Sequence, residues 1–171
     1  MAEEIVNKVA QSALEQVDFE KWLNEEELAV FDLKDCLWQG LVLKEKDFRN
    51  FIKEHDWSQY KNKYVGVYCS EDAILQPWAY MLVTAALQPH AKKVFKGDLN
   101  SIKTDVLLEK IEQTPLQEYQ DQRLIVKGCS KIDDVEKVLM AFTEKFQKVA
   151  KSIMFGEPCS TVPIFKQSKN K

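Results

Sequence analysis

Three of the four cysteines in this 171-residue chain are followed directly by serine: Cys69-Ser70, Cys129-Ser130 and Cys159-Ser160. Thiolates are soft ligands, suited to zinc, copper(I) or iron–sulfur clusters. Each Cys-Ser pair comes after a stretch that reads as a β-strand. If those strands run parallel in one sheet, all three thiols arrive at its carboxyl edge, where ligands gather in open α/β sheets. A structural zinc needs a fourth ligand, whereas a catalytic or cluster site leaves that position open. Asp72, Glu157, His90 and Cys36 are candidates, and the preferred metal set is Cys69, Cys129, Cys159 and Asp72.

The same edge also suits thiol chemistry without metal. Ser130 and Asp133 have the spacing of a capping box, so a helix opening there would aim its amides at Cys129 and lower its pKa. Cys129 is then the nucleophile of a thiol-dependent enzyme, or the thiol of a sulfur carrier. The bland alternative stands beside both, because free cysteine is common in cores and no C-x-x-C pair is present. Cys36 is read as incidental. His55 and His90 read as helix-end residues, and Trp57, Tyr64, Tyr68, Trp78 and Tyr80 as core and core rim. Ser70, Ser130 and Ser160 lack a G-x-S-x-G setting, and neither a G-x-G-x-x-G nor a G-x-x-x-x-G-K-[ST] loop occurs, which disfavours a serine hydrolase and excludes nucleotide binding by those routes.

The elements that must position these residues follow from periodicity. Ile5, Val6, Val9, Ala10, Ala13, Leu14 and Val17 form one stripe of an N-terminal amphipathic helix over Glu4 to Val17. Strands are expected at 28–33, 64–69, 93–96, 123–127 and 152–155, with 37–43 a strand or a bulged loop. Helices are expected at 45–54, from Pro77, from Asn100 or Ser101 up to Thr114, and from Ser130. The stretch Ala73 to Leu87 reads as a core helix, too short for the about 20 apolar residues that a membrane span needs. Alternating strands and helices, the strands apolar on both faces, predict an α/β layered sandwich with a mostly parallel sheet covered by helices. One internal echo stands out: Gln59-Tyr60-Lys61-Asn62-Lys63 precedes one strand and Glu118-Tyr119-Gln120-Asp121-Gln122 another, as two half-units of similar build would require.

Composition sets the class. With 45% hydrophobic and 30% charged residues, 5 glycines and 5 prolines, the chain is no disordered, collagenous or disulfide-rich type. It reads as a single α/β domain over 1–171, with 1–27 an N-terminal helical segment and 166–171 a basic flexible tail. A net charge of −3 argues against a nucleic-acid coat protein. The ends differ in sign: 1–35 carry ten acids and three bases, and 145–171 six bases and one acid. They read as solvated surfaces, or as the contacts of a non-catalytic interaction protein. The N-terminus lacks the pattern of a secretory signal, so the expected compartment is cytoplasmic, with reduced thiols.

The segments FDLKDCLWQGLVLKEKDFR, YVGVYCSEDAILQPWAYMLVTAALQPHAK, LIVKGCS and AKSIMFGEPCSTVP together resemble an uncharacterised bacterial family known only as a domain of unknown function. The resemblance covers nearly the whole chain and implies no assigned activity. It does imply a neighbourhood of iron–sulfur cluster assembly, hence iron–sulfur assembly proteins as partners and zinc or an iron–sulfur cluster as cofactor. Its matching positions are Cys69, Cys129 and Cys159. Enzyme or not, and in what oligomeric state, these features leave open.

Overall fold

A computed structural model of the chain describes residues 14–168. The expected helix up to residue 13, and Lys169 and Lys171 of the expected tail, lie outside the described residues. In chain order the elements are β1 (Leu14–Asp18), α1 (Phe19–Asn24), β2 (Leu28–Asp32), α2 (Glu45–Glu54), β3 (Tyr64–Tyr68), α3 (Pro77–Leu87), β4 (Lys93–Lys96), α4 (Ser101–Gln113), β5 (Arg123–Lys127), α5 (Val135–Phe146), β6 (Ser152–Glu157) and β7 (Ser160–Lys166). Single 3-10 turns occur at Leu33–Cys36, Trp57–Tyr60 and Leu116–Tyr119. The α/β architecture with mostly parallel strands is therefore as the periodicity requires.

The strands do not form one sheet. β2, β3 and β4 make a parallel three-stranded sheet in that order, and β1, β5, β6 and β7 make a second, in which only the β6–β7 pair is antiparallel. The chain accordingly divides into two compact units, one of residues 24–106 and one comprising the chain up to Leu23 and from Leu107 onward. Residues 14–17, expected to end a helix, belong instead to the strand β1, whose backbone pairs with β5 from Leu14↔Arg123 to Asp18↔Lys127. Strand β7 went unread because Pro163 interrupts its pattern. Pro163 is accommodated where the register shifts between Ile153 and Met154, as proline in a sheet is confined to edges and bulges.

Both units use one backbone pattern, repeated at a separation of 59 residues from Asn62 to Asp121, from His90 to Val149 and from Lys92 to Lys151. A 3-10 turn leads to a residue in the left-handed region, Asn62 at φ 61° or Asp121 at φ 57°. The Asn62 amide donates to the His90 carbonyl at 3.0 Å, and the Asp121 amide to the Val149 carbonyl at 2.9 Å. Returning bonds run from Lys92 N–H to the Lys63 carbonyl and from Lys151 N–H to the Gln122 carbonyl, both 2.8 Å. The helix that follows buries the same positions in each unit: Ala79, Val83 and Leu87 on α3, and Val138, Phe142 and Phe146 on α5, all 0% exposed. The duplication suggested by the two tyrosine-centred echoes is thus visible in hydrogen bonds.

Local chemistry explains most boundaries. Pro77 begins α3, where its missing N–H costs nothing. Only one face of that helix is core, since Met81 on the other is 72% exposed. Helix α4 is capped by Asp98, whose Oδ1 accepts from Asn100 N–H and Ser101 N–H at 3.0 and 2.9 Å, and not by Asn100 or Ser101 themselves. Residues 37–43 form a turn, with Gln39 at φ 53° and Gly40 at φ 69°, closed by Leu41 N–H on the Trp38 carbonyl at 3.1 Å.

The left-handed residues give a stability test. Asn62→Val and Asp121→Val should each cost about 1–2 kcal/mol, because a β-branched side chain is strained there. Asn62→Gly and Asp121→Gly should stay within about 0.5 kcal/mol of wild type. Urea midpoints with unchanged slopes check this, and equal effects of valine and glycine would contradict it.

Candidate functional site

Parallel strands send their carboxyl ends to a common edge. In the unit of residues 24–106, β2 ends at Asp32, β3 at Tyr68 and β4 at Lys96. Asp32 ties two of these exits together: its Oδ1 accepts from Lys34 N–H at 3.0 Å and from Ser70 N–H at 3.1 Å. Burial alone would raise its pKa, but these bonds and the Lys34 ammonium, 3.7 Å from Oδ2, hold the carboxyl below its ordinary range. The Asp32–Ser70 bond fixes the backbone immediately after Cys69.

Cys69 is half-buried and lines an open cleft of about 570 Å³ with Glu71, Leu75, Pro77, Tyr80 and Lys96 among its walls. Lys96 Nζ lies 5.7 Å from the centroid of the Tyr80 ring. Burial pushes the Tyr80 hydroxyl pKa up, and negative charge on Cys69 adds to the effect. Pro77, the first residue of α3, brings the positive end of that helix to the same cleft.

Cys36, read as incidental, belongs to this edge too. It sits in the 3-10 turn after β2, and burial pushes its thiol up to about 12, reinforced by Asp35, Asp32 and Cys69. It therefore stays protonated at neutral pH. The available signal was that its strand, LAVFD, ends at the same edge as YVGVY.

The four-stranded sheet holds the other two thiols. Cys129 follows β5 and is 6% exposed, and Cys159 is exposed in the hairpin between β6 and β7. Around them, Lys127 pairs with Glu157 at 2.7 Å and Lys131 with Glu20 at 2.5 Å. Asp18, at the end of β1, accepts only within its own turn, from Glu20 N–H at 2.9 Å. The expected capping box is not formed. Helix α5 starts at Val135, and its cap is Asp134, which accepts from Lys137 N–H at 3.1 Å. Burial of Cys129 and Ile132, each 6% exposed, pins the intervening loop, so no helix opens at Ser130.

The three Cys-Ser thiols thus do not share one sheet edge: Cys69 leaves the three-stranded sheet, and Cys129 and Cys159 the four-stranded one. Asp72 is exposed in the loop after Cys69. Glu157 is engaged with Lys127. His90 lies before β4, at the amino end of the sheet whose carboxyl end carries Cys69. Among the described residues no group of three or more His, Cys, Asp or Glu side chains is arranged to hold a metal ion. Nor, among them, is any helix long and apolar enough to cross a membrane.

Fold and site define an α/β protein of two like-built units with a thiol cleft at the carboxyl end of a parallel sheet. The chain belongs to the family described as Protein of unknown function (DUF2480), which it matches over residues 3–167. No curated protein and no solved structure matches it.

Removing the Asp32 carboxylate should release the Cys69-Ser70 loop. Asp32→Ala should lower stability by about 1–2 kcal/mol at pH 7, the usual range for a lost capping acceptor. The folded-state pKa is depressed, so the contribution is full above the unfolded value near 4 and is lost as pH falls through the folded one. The wild-type advantage in urea midpoint should therefore shrink below about pH 4. A gap that stays constant down to pH 2 would contradict this assignment.

Proposed function

We propose that the protein is a thiol-dependent sulfur carrier or enzyme that acts through Cys69. The observation that carries this reading is the position of Cys69 in an open cleft at the carboxyl end of a parallel sheet, with Lys96 and the start of α3 among its walls. The other thiols are less suited. Cys129 is buried without a helix start behind it, Cys36 is held protonated, and Cys159 sits on an open hairpin. The thiolate is the form that attacks electrophilic sulfur or carbon, and Lys96 and the start of α3 put positive charge into the cleft where it would act. Sulfur metabolism, with iron–sulfur assembly proteins as the exchange partners implied by the resemblance, is the setting in which such a thiol is used.

Timed alkylation with peptide mass spectrometry tests this. Cys69 should be modified before Cys129 and Cys36, and Lys96→Gln should slow Cys69 by about two- to fivefold, the effect of one partly screened cation, with Cys159 unchanged. Modification of Cys69 no faster than Cys129, or no effect of Lys96→Gln, would contradict it. Elemental analysis of anaerobically purified protein separates the carrier from a shared zinc or iron–sulfur centre at Cys69, Cys129, Cys159 and Asp72. Near-stoichiometric metal that is lost in each of Cys69→Ser, Cys129→Ser and Cys159→Ser would favour that centre over the carrier.

A further inference from the structure

We infer that Cys36 is the resolving partner of Cys69: its sulfur attacks the inner sulfur of a Cys69 persulfide, closes a Cys36–Cys69 disulfide and releases the outer sulfur as hydrosulfide. The inference rests on the reading of Cys69 as a sulfur-carrying thiol and adds the step by which the load leaves. Both cysteines are free and half-buried, and both belong to the unit of residues 24–106.

The two thiols leave neighbouring strands. β2 and β3 run parallel with Asp32 opposite Tyr68, so the turn that carries Cys36 and the loop that opens with Cys69 start side by side. Asp32 Oδ1 binds both exits at once, through Lys34 N–H and Ser70 N–H. Further along, the same two loops are joined again, where Ile74 N–H donates to the Leu41 carbonyl at 3.1 Å and Val42 bridges to Ile74. Cys36 and Cys69 both pack against one core cluster, which includes Phe31, Leu33 and Val67. Adjacent strands lie about 4.8 Å apart, and a disulfide spans about 4.4–6.8 Å between α-carbons, so exits of neighbouring strands are separated by a distance that a disulfide bridges. Burial first, then Asp35, Asp32 and negative charge on Cys69, push the Cys36 thiol up to about 12, and the last of these puts the two sulfurs within electrostatic reach of each other. Cys129 and Cys159 follow strands of the other sheet and have no part in these ties.

The two thiols differ in the way that two successive steps require. At neutral pH Cys36 stays protonated and leaves the incoming sulfur to Cys69. Once loaded, the Cys69 persulfide anion accepts the Cys36 proton on its outer sulfur. The Cys36 thiolate then attacks Cys69 Sγ, the bond between Sγ and the outer sulfur breaks, and the outer sulfur departs with that proton and the bonding electron pair as hydrosulfide. No outside oxidant is consumed, because the departing sulfur is itself reduced as the two cysteines are oxidised. A scarce Cys36 thiolate keeps discharge slower than loading. An external dithiol resets the pair by exchange, leaving as its own disulfide and returning Cys36 and Cys69 as thiols.

The test loads the full chain with a low-molecular-weight persulfide donor, removes the donor by desalting, and follows the protein by non-reducing tryptic mass mapping and a hydrosulfide assay. Trypsin places Cys36 in peptide 35–44 and Cys69 in peptide 64–92. Wild type should first carry the added sulfur on 64–92, then lose it as the 35–44/64–92 linked peptide and an equal amount of hydrosulfide appear. Cys36→Ala should keep the added sulfur, with hydrosulfide release slower by at least about tenfold, as expected when an intramolecular nucleophile is lost. Cys129→Ser should behave as wild type. The wild-type link is read without any variant, so the outcome does not depend on the folding of Cys36→Ala. A loaded Cys69 that yields no linked peptide, or links to Cys129 or Cys159, would overturn the inference and leave the carrier reading in place. No sulfur on Cys69 at any time would overturn the carrier reading and the inference with it.

Discussion

The structure depends on one reciprocal pair of backbone hydrogen bonds, made twice. In each unit a left-handed residue turns its amide onto the carbonyl that follows the crossover helix, and the next carbonyl receives an amide in return. Asn62 with His90, and Lys63 with Lys92, lock the start of β3 to the start of β4. Asp121 with Val149, and Gln122 with Lys151, do the same for β5 and β6. Parallel pairing has no tight hairpin to set its register, so this clamp does that work, and a slip of one residue would turn every side chain to the wrong face. The register that results, Tyr64↔Lys93, puts Lys96 opposite Val67, near the end of β3, and so brings Lys96 and Cys69 to the walls of one cleft.

Much of this was legible because it is local. The tyrosine-centred echoes at Gln59–Lys63 and Glu118–Gln122 coincide with the two clamps, and YVGVY and RLIVK fall on the central strands β3 and β5. The partition into two sheets was not legible, because strand pairing is a long-range choice and LAVFD, YVGVY and RLIVK look alike locally. Three apolar strands ending in Cys-Ser suggested one edge, while the chain distributes them over two sheets.

The cysteines show how a small offset alters chemistry. Cys69 and Cys129 look equivalent as Cys-Ser pairs, yet they are 60 residues apart in a pattern that repeats every 59. In the frame of the repeat, Cys69 corresponds to Gly128, and Ser70 to Cys129. The two thiols therefore leave their strands at different positions, Cys69 half-buried on an open cleft and Cys129 buried. The capping-box reading at Ser130 failed for a related reason. Spacing alone cannot reveal that Cys129 and Ile132 are drawn into the core, which postpones the helix to Val135.

The proposed carrier role rests on a half-buried thiol that shares its cleft with Lys96 and the start of α3, and the direct measurement is loading with a low-molecular-weight persulfide donor, whose outer sulfur passes to Cys69 as its own thiol leaves, followed by peptide mass mapping under non-reducing conditions. The account predicts the added mass of one sulfur atom on the peptide containing Cys69, and none in Cys69→Ser. Sulfur on Cys129 or Cys159 with Cys69 unmodified, or no adduct on any peptide, would contradict it.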